Sequence, residues 1–230
     1  MKLNRMLSSC ALAFSVAATA ANAAPAVSND NRAEGNIQYY KADIAQLHPA
    51  EQLVREVADG MLVVMKNNQD ELKKNPDLIY DLLEKNVLLH FDFEKMSRIV
   101  LGQHWRRATD DQKKRFTAEF RTLVVRTYAN ALLAYSGQKI DYLPLRGASA
   151  DEAHVRTKVK QNSGPPISVD YDLSPGQDGR WRVYNLTIEG ISLVESFRGE
   201  YSEIIRNSGG IDSLIDMLAA KNRSLKPAPR

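Results

Sequence analysis

The chain has 230 residues, of which 43% are hydrophobic and 26% are charged. This balance is ordinary for one or two globular domains, and it argues against a disordered tail protein, a collagen-like repeat and a protein with several membrane spans. The formal net charge is +3, and what it implies depends on where the basic residues lie.

Residues 1–23 have the three parts of a secretory signal. Lys2 and Arg5 precede an apolar run over Leu7–Ala18, and small residues follow up to Ala23. Because the run is shorter than the roughly 20 residues that span a bilayer, we predict an exported protein that is cleaved after Ala23. Cleavage removes Cys10, the one cysteine, so the mature chain is predicted to have no disulfide and no thiolate metal site.

Cleavage also changes the electrostatic argument. It removes two of the 31 basic residues and none of the 28 acidic ones, which leaves a mature chain with a net charge of +1. A nearly neutral chain has little overall attraction for a polyanion. Nucleic acid is therefore not predicted as a partner.

The first regular element is predicted after a leader. Residues 24–47 show no sustained hydrophobic period, and we predict a flexible leader and a connection there. A helix is predicted from Pro49, because the first helical turn tolerates proline. Its apolar residues form two stripes at helical spacing: Leu53, Val57, Met61 and Val64, and Val54, Ala58, Leu62 and Met65. So wide an apolar arc predicts a helix that is covered on more than one side.

Capping residues predict the next two helices. The segment Asn75-Pro76-Asp77 is typical of a helix start, and the helix that follows is predicted over Leu78–Leu89. Asp92 is predicted to cap a short helix that ends at Gly102, where a left-handed residue can stop it.

A longer helix comes next. Thr109 and Gln112 have the spacing of a capping box, in which each side chain accepts the backbone amide of the other residue. Apolar residues then follow one face over residues 116–135, and Gly137 is predicted to end the helix.

The hydrophobic period changes to two after this helix and predicts an antiparallel meander. Four strands are predicted near residues 139–143, 153–160, 167–173 and 180–188. In the fourth strand Asn185 and Leu186 fall on the wrong faces for simple alternation, so we expect a bulge or helices over parts of both faces.

The charges on the second and third strands predict a register for their hairpin. Pairing Lys158 with Asp170, and Arg156 with Asp172, places cations opposite carboxylates. The same register sets three apolar pairs side by side: Val159 with Val169, Thr157 with Tyr171, and Val155 with Leu173.

Two helices near residues 193–207 and 211–220 are predicted to close the fold, followed by a frayed tail at 223–230. The predicted class is α+β, with a four-stranded twisted antiparallel sheet and about six to seven helices packed mainly on one face. We predict a single domain over residues 48–222.

No catalytic motif stands out. The four histidines, His48, His90, His104 and His154, lack the spacing of metal ligands. There is no G-x-S-x-G elbow, P-loop or dinucleotide fingerprint in the sequence. We therefore predict a protein that is not an enzyme, with no metal and no cofactor.

Three sequence fragments carry a family resemblance. They are L-G-x-x-W-R-x-A-T-x-x-Q-x-x-x-F over Leu101–Phe116, E-G-I-S-L over Glu189–Leu193 and G-I-D-S-L over Gly210–Leu214. In this order, behind a signal peptide, they resemble the MlaC family, also called the toluene-tolerance auxiliary family, from about Pro49 to Leu218. The resemblance implies a twisted sheet wrapped by helices, related to NTF2 folds, with an apolar cavity for the acyl chains of a phospholipid.

The resemblance also implies a location and partners. A member of this family is expected in the periplasm of a Gram-negative bacterium, where it would maintain outer-membrane lipid asymmetry. It would shuttle phospholipid between the outer-membrane lipoprotein MlaA with its porin and the inner-membrane MlaFEDB complex, docking transiently through MlaD. Phospholipid would be cargo, not a cofactor.

The family signature does not mark the lipid contacts, so we nominate them from the apolar faces. We expect the long helix and the sheet to stand apart and to enclose the cavity, with further contacts from earlier helices. The candidates are Met65, Leu83, Leu88, Phe116, Phe120, Val124, Tyr128, Leu132, Val155, Val159, Val169, Tyr171 and Val183. Ordinary core packing explains the same pattern, and periodicity does not separate the two.

Two alternatives remain open at the level of sequence. One is a periplasmic adaptor that carries no lipid, for which Arg106, Arg107, Arg121 and Arg126 are the first candidates for docking. The other is an NTF2-like enzyme, which would need a buried carboxylate or histidine among the inward positions.

Overall fold

The computed structural model describes residues 46–134 and 136–225. Seven α-helices lie in this part of the chain: α1 (Pro49–Asn67), α2 (Gln69–Lys74), α3 (Leu78–Asn86), α4 (Phe93–Leu101), α5 (Asp110–Leu133), α6 (Leu193–Ser208) and α7 (Ile211–Ser224). Five strands lie between α5 and α6: β1 (Ile140–Tyr142), β2 (Ala153–Val159), β3 (Ile167–Pro175), β4 (Trp181–Ile188) and β5 (Ile191–Ser192). The predicted signal peptide and nearly all of the predicted leader lie outside the described residues.

Two predicted helix caps, at Asp92 and Thr109, are confirmed by their hydrogen bonds. The helix predicted after Asn75-Pro76-Asp77 begins at Leu78 as expected, but the capping side chain predicted there was wrong, because no side chain among the described residues caps this helix. The Asp92 side chain accepts the Lys95 amide at 2.8 Å at the start of α4. At the start of α5, Thr109 Oγ1 accepts the Gln112 amide at 3.2 Å and Gln112 Oε1 accepts the Thr109 amide at 3.0 Å. These bonds satisfy amides that a helix start leaves without an internal partner.

The helix ends depart from the prediction by a few residues. The helix α3 ends at Asn86, and a 3₁₀ turn follows over Leu88–His90. The helix α5 ends at Leu133, before Gly137, whereas α7 continues to Ser224. Among the described helices, none is both long enough and apolar enough to cross a bilayer.

An ion-pair network links the starts of α5 and α7. Asp212 Oδ2 accepts a hydrogen bond from the Gln112 side chain at 2.7 Å, and Asp212 Oδ1 accepts one from Arg115 at 2.6 Å. Arg115 also donates to Asp111 at 2.6 Å. These hydrogen bonds, from Arg115 above all, hold the pKa of Asp212 below its ordinary value.

We expect Asp212→Asn to reduce the acid sensitivity of the fold. Because the folded state lowers the pKa of Asp212 below the unfolded value of about 3.9, this carboxylate stabilises the fold above that pH. The stabilisation is lost as the pH falls through the folded pKa. The measurement is the thermal midpoint of unfolding between about pH 5 and pH 2, which should fall less in the variant than in the wild type.

Asp216→Asn is the matched control, because Asp216 lies exposed on the same helix and contacts no cation in the part of the chain that the structure describes. Its thermal midpoint should fall with decreasing pH as steeply as that of the wild type. If the thermal midpoint of Asp212→Asn falls equally steeply, the Asp212 carboxylate is not a source of the acid sensitivity.

The sheet is an antiparallel meander in the order β1-β2-β3-β4-β5. The prediction of four strands was one strand short. The fifth strand has two residues and follows a tight turn in which Glu189 and Gly190 both have positive φ, 50° and 77°. Two residues are too few to produce a visible alternation, which is why the sequence pattern missed this strand.

The predicted register of the β2–β3 hairpin was wrong by two residues. In the structure Arg156 lies opposite Asp170 and His154 lies opposite Asp172, with 2.6 Å between His154 Nδ1 and Asp172 Oδ1. The apolar partners are Val155 with Tyr171, Thr157 with Val169, and Val159 with Ile167. A shift of two residues keeps every side chain on its predicted face, so alternation alone did not fix the register.

The irregularity predicted for β4 is confirmed at Tyr184. Asp172 lies opposite Asn185 and Leu173 opposite Val183, so Tyr184 is an extra residue on this strand. Asn185 is buried, donates to Asp172 at 2.8 Å and accepts the Ser192 hydroxyl at 3.1 Å. A buried polar network therefore explains why Asn185 breaks the apolar alternation.

The apolar core has three clusters. The first joins α4, α5, α6 and α7 around Phe116 and Phe120. The second joins the sheet to the start of α1 through Ala50 and Val54. The third joins the end of α1 to α2, α3 and the second half of α5. The long helix α5 thus packs mainly on other helices, and the sheet packs mainly on α1, α4 and α6. The prediction that the long helix and the sheet face each other across a cavity was therefore wrong.

Candidate functional site

An open groove of about 940 Å³ lies between α1 and the segment 136–142, which contains β1. One wall is a face of α1, with Arg55, Asp59, Leu62 and Lys66, continued by Gln69 at the start of α2. The other wall is formed by all seven residues of the segment 136–142. A volume of this size is near the upper end of the range for small-molecule sites.

The groove exists because the two halves of α1 pack on different partners. Ala50 and Val54 are buried against the sheet. Met61 and Met65 are buried against α3 and the second half of α5. The four α1 residues of the lining follow each other at helical spacing of three or four, so they share a face that differs from the one carrying both methionines.

The opposite wall is held by the chain that follows α5. Gly137 has φ of 93°, a left-handed conformation that glycine adopts at little cost. Gln138 is buried, and its side chain accepts the Ser136 amide at 2.7 Å. The Asn162 side chain donates to the Ser136 hydroxyl at 2.8 Å. These bonds fix the start of the wall relative to the β2–β3 connection.

Three of the charged residues in the groove have polar partners. Arg55 Nη2 donates to Glu51 at 2.8 Å, and its guanidinium lies 4.2 Å from the centre of the Tyr142 ring. The Tyr142 hydroxyl donates to Asp59 at 2.8 Å. Asp141 also has a partner, in an ion pair of 2.9 Å with Lys160.

Lys66 and Lys139 differ from the other charged lining residues. Both are exposed, and within the described residues neither side chain has an ion-pair or hydrogen-bond partner. Lys66 belongs to the α1 wall and Lys139 to the opposite wall. The groove therefore presents two uncompensated cations, one from each side.

The chemistry of the groove suits an amphipathic ligand. Leu62, Ile140 and the Tyr142 ring supply apolar surface, and the aliphatic stems of the lysines extend it. Among the described residues, no group of three His, Cys, Asp or Glu side chains is placed to hold a metal ion. The buried carboxylate beside the groove, Glu51, is neutralised by Arg55.

Eleven of the thirteen predicted contacts lie in or against the three core clusters, and the other two lie on the sheet. The helical cluster contains Phe116, Phe120 and Val124, with Tyr128 and Leu88 packed against it. The cluster of α1 and the sheet contains Val155 and Val183, with Tyr171 packed against it. The cluster of α1, α3 and α5 contains Met65 and Leu83, with Leu132 and Leu88 packed against it. Val159 and Val169 are half-buried on the sheet.

Of these residues, Val155, Val159, Val169 and Tyr171 lie on the same sheet face as Ile140 and Tyr142, which line the groove. Val159 is the register partner of Ile140, which lines the groove. Burial raises the pKa of the Tyr171 hydroxyl to about 12, so this side chain is neutral at ordinary pH. The prediction that the thirteen residues contact lipid stays a prediction.

Sequence reasoning missed most of the α1 wall. It placed Leu62 on a second apolar stripe of the first helix. It did not use Arg55, Asp59 and Lys66, the charged residues that line the groove together with Leu62. Charged residues interleaved with an apolar stripe were the available signal for a face that borders an open groove.

The proposed docking arginines divide into two pairs. Arg121 pairs with Glu84, and Arg126 donates to the Asn222 and Leu225 carbonyls, the latter at 3.1 Å. These two therefore hold helices together. Arg106 and Arg107 are exposed.

Comparison with known sequences gives a consistent result. A family model described as MlaC protein matches residues 55–220. Toluene tolerance protein ttg2D of Pseudomonas putida is 30% identical over 178 residues, which are 76% of this chain and 82% of that protein. The intermembrane phospholipid transport system binding protein MlaC of Haemophilus influenzae is 27% identical over 166 residues, which are 71% of this chain and 77% of that protein.

A solved structure shares the fold. It is the phospholipid-binding protein from Ralstonia solanacearum, solved in complex with a phospholipid, and it matches with a TM-score of 0.72 and 29% sequence identity. The match covers 77% of this chain and 99% of that chain. The architecture described above is therefore shared over nearly the full length of that protein.

Proposed function

Because the chain belongs to the MlaC family, we propose that it is a periplasmic phospholipid carrier that shields acyl chains and moves lipid between membranes. The groove between α1 and the segment 136–142 is the proposed binding site. We propose no chemical change in the cargo, so the protein acts as a carrier and not as an enzyme.

One observation carries the proposal. The fold matches a protein that was solved with a phospholipid bound, and the match covers 99% of that protein. The open groove of about 940 Å³, with both apolar and charged residues in its lining, supports the placement of the site. The names of the two sequence relatives, a toluene tolerance protein and a phospholipid transport binding protein, support the same function.

The energetics explain what such a carrier must do. At roughly 0.8 kcal/mol per methylene, two acyl chains exposed to water cost on the order of 20 kcal/mol. A carrier therefore has to cover most of the hydrocarbon, and this requires apolar surface more than specific polar contacts. Leu62, Ile140 and Tyr142 provide apolar surface within the groove. Met61 and Met65, behind the α1 wall, have flexible side chains that can repack around a chain entering there.

The route of the lipid follows from the family. We propose that the protein is exported to the periplasm after cleavage at Ala23 and docks transiently with complexes in both membranes. The expected outer-membrane partner is MlaA with its porin, and the expected inner-membrane partner is MlaFEDB, contacted through MlaD. The exposed Arg106 and Arg107 are available for such contacts.

A transfer experiment tests the proposal. Donor vesicles with a labelled phospholipid and unlabelled acceptor vesicles are separated by a membrane that passes the protein but not the vesicles. The label should reach the acceptor at a rate that rises with the concentration of the mature protein. Transfer at the spontaneous rate only, at every protein concentration, would contradict the carrier function and favour an adaptor without cargo.

A further inference from the structure

We infer that Lys66 and Lys139 bind the phosphate group of the lipid at the mouth of the groove, so that the groove selects lipids that carry a phosphate. The inference rests on the proposed function and adds to it the part of the ligand that the cations recognise. It assigns a role to two side chains that form no ion pair or hydrogen bond within the described residues.

The two lysines are distinguished by having no side-chain partner in the part of the chain that the structure describes. Arg55, Asp59 and Asp141 also line the groove, and each is engaged by a neighbouring side chain. Lys66 and Lys139 are engaged by none of the described residues. Of the charged side chains that line the groove, these two are therefore the ones whose charge a ligand can compensate.

Their placement favours one anion bound between them. Lys66 projects from α1 and Lys139 from the segment that precedes β1, so the cations belong to opposite walls of one groove. A phosphate has several acceptor oxygens and can receive hydrogen bonds from two directions. Arg55 is a weaker candidate, because Glu51 already accepts from its Nε and Nη2 atoms.

The apolar residues in the groove decide which phosphate binds. Leu62 is one helical turn from Lys66 on α1, and Ile140 directly follows Lys139. An anion held at the lysines therefore has apolar surface beside it on both walls. This combination fits a phospholipid better than free phosphate, because free phosphate leaves the apolar surface uncovered.

The exposure of the lysines sets the strength of the contact. Exposed ion pairs are individually weak and are screened by salt. We therefore expect the two lysines together to change lipid preference by about tenfold, while the acyl chains supply most of the affinity. A weak contact of this kind orients the headgroup toward solvent and still lets the lipid leave.

The test measures the choice between two lipids with identical acyl chains. The mature protein is incubated with phosphatidylcholine vesicles that contain equal amounts of phosphatidylglycerol and diacylglycerol. It is then separated from the vesicles, and both lipids bound to it are quantified by mass spectrometry. The wild type should prefer phosphatidylglycerol, and Lys66→Gln/Lys139→Gln should lower the ratio of the two lipids about tenfold. Salt at about 1 M should lower the ratio for the wild type.

Lys74→Gln/Lys114→Gln is the matched control, because it removes the same charge from two exposed lysines outside the groove. It should keep the ratio of the wild type. A second measurement titrates inorganic phosphate into the lipid-free wild type, and no saturable binding is expected. Thermal midpoints of all variants verify that they are folded.

The outcomes separate this inference from the proposed function. If Lys66→Gln/Lys139→Gln and the control both bind phosphatidylglycerol and diacylglycerol in the ratio of the wild type, Lys66 and Lys139 do not recognise phosphate. The carrier function then stands. If the control lowers the ratio equally, general charge and not the groove is responsible. Saturable binding of inorganic phosphate that the groove variant loses would make this a site for free phosphate. A wild type that takes up no lipid would overturn the inference and the carrier function together.

Discussion

Leu62→Trp should reduce the phospholipid that co-purifies with the protein by about tenfold, which corresponds to about 1.4 kcal/mol of binding free energy. Leu62 lines the groove on the α1 wall and is half-buried. An indole at this position projects into the space between α1 and β1 and displaces hydrocarbon. The measurement is lipid per protein by mass spectrometry after purification under native conditions.

The neighbouring residue provides the control for this substitution. Val63 follows Leu62 on the same helix, is 57% exposed and does not line the groove. Val63→Trp should leave the lipid content unchanged, and both variants should unfold near the temperature of the wild type. Equal lipid content in Leu62→Trp and in the wild type would show that the groove is not the binding site.

Phe120→Ala should lower the free energy of unfolding by about 3–5 kcal/mol. Phe120 is fully buried in the helical cluster, where it stacks on Phe116 at 5.7 Å and meets Phe197 edge-on at 5.2 Å between ring centres. Its removal leaves a cavity between α5 and α6 that the packed neighbours fill only in part. Urea unfolding followed by circular dichroism measures the loss.

The lipid content distinguishes a core role from a lipid-contact role at this position. If Phe120 belongs to the core, the folded fraction of Phe120→Ala keeps its lipid. A small loss of stability with a large loss of lipid would instead support the sequence prediction that Phe120 contacts the cargo. Leu89→Ala is the control, because Leu89 is 57% exposed and its truncation should change stability by less than about 0.5 kcal/mol.

Local chemistry made much of the fold predictable from sequence. The cap at Asp92 and the capping box of Thr109 and Gln112 act within a few residues of each other, so their spacing is visible in the chain. The bulge at Tyr184 was signalled by Asn185, a polar residue at a position where alternation required an apolar one. Such features depend on neighbours in sequence.

Features that depend on distant residues were harder to predict. The register of β2 and β3 differs by two residues from the predicted one, and both registers keep the same faces. His154 decides between them in part, because it pairs with Asp172, whereas the sequence argument considered only arginine and lysine as partners. A charge pattern that counted this histidine would have favoured the observed pairing.

The candidate site was the least predictable part. Periodicity showed that α5 and the sheet each have an apolar face, but it does not tell which faces meet. In the structure Phe116 and Phe120 meet α6 and α7, and Val155 meets α1. Val124 is 8% exposed within the helical cluster, so a bulky side chain there is expected to disturb the core before it reaches a ligand.

The most direct test of the carrier function is the lipid content of the wild-type protein purified without detergent from a Gram-negative periplasm. The account predicts phospholipid in stoichiometric amounts by mass spectrometry, released when the protein is unfolded. Folded protein that is free of lipid, and that takes up none from vesicles, would contradict it.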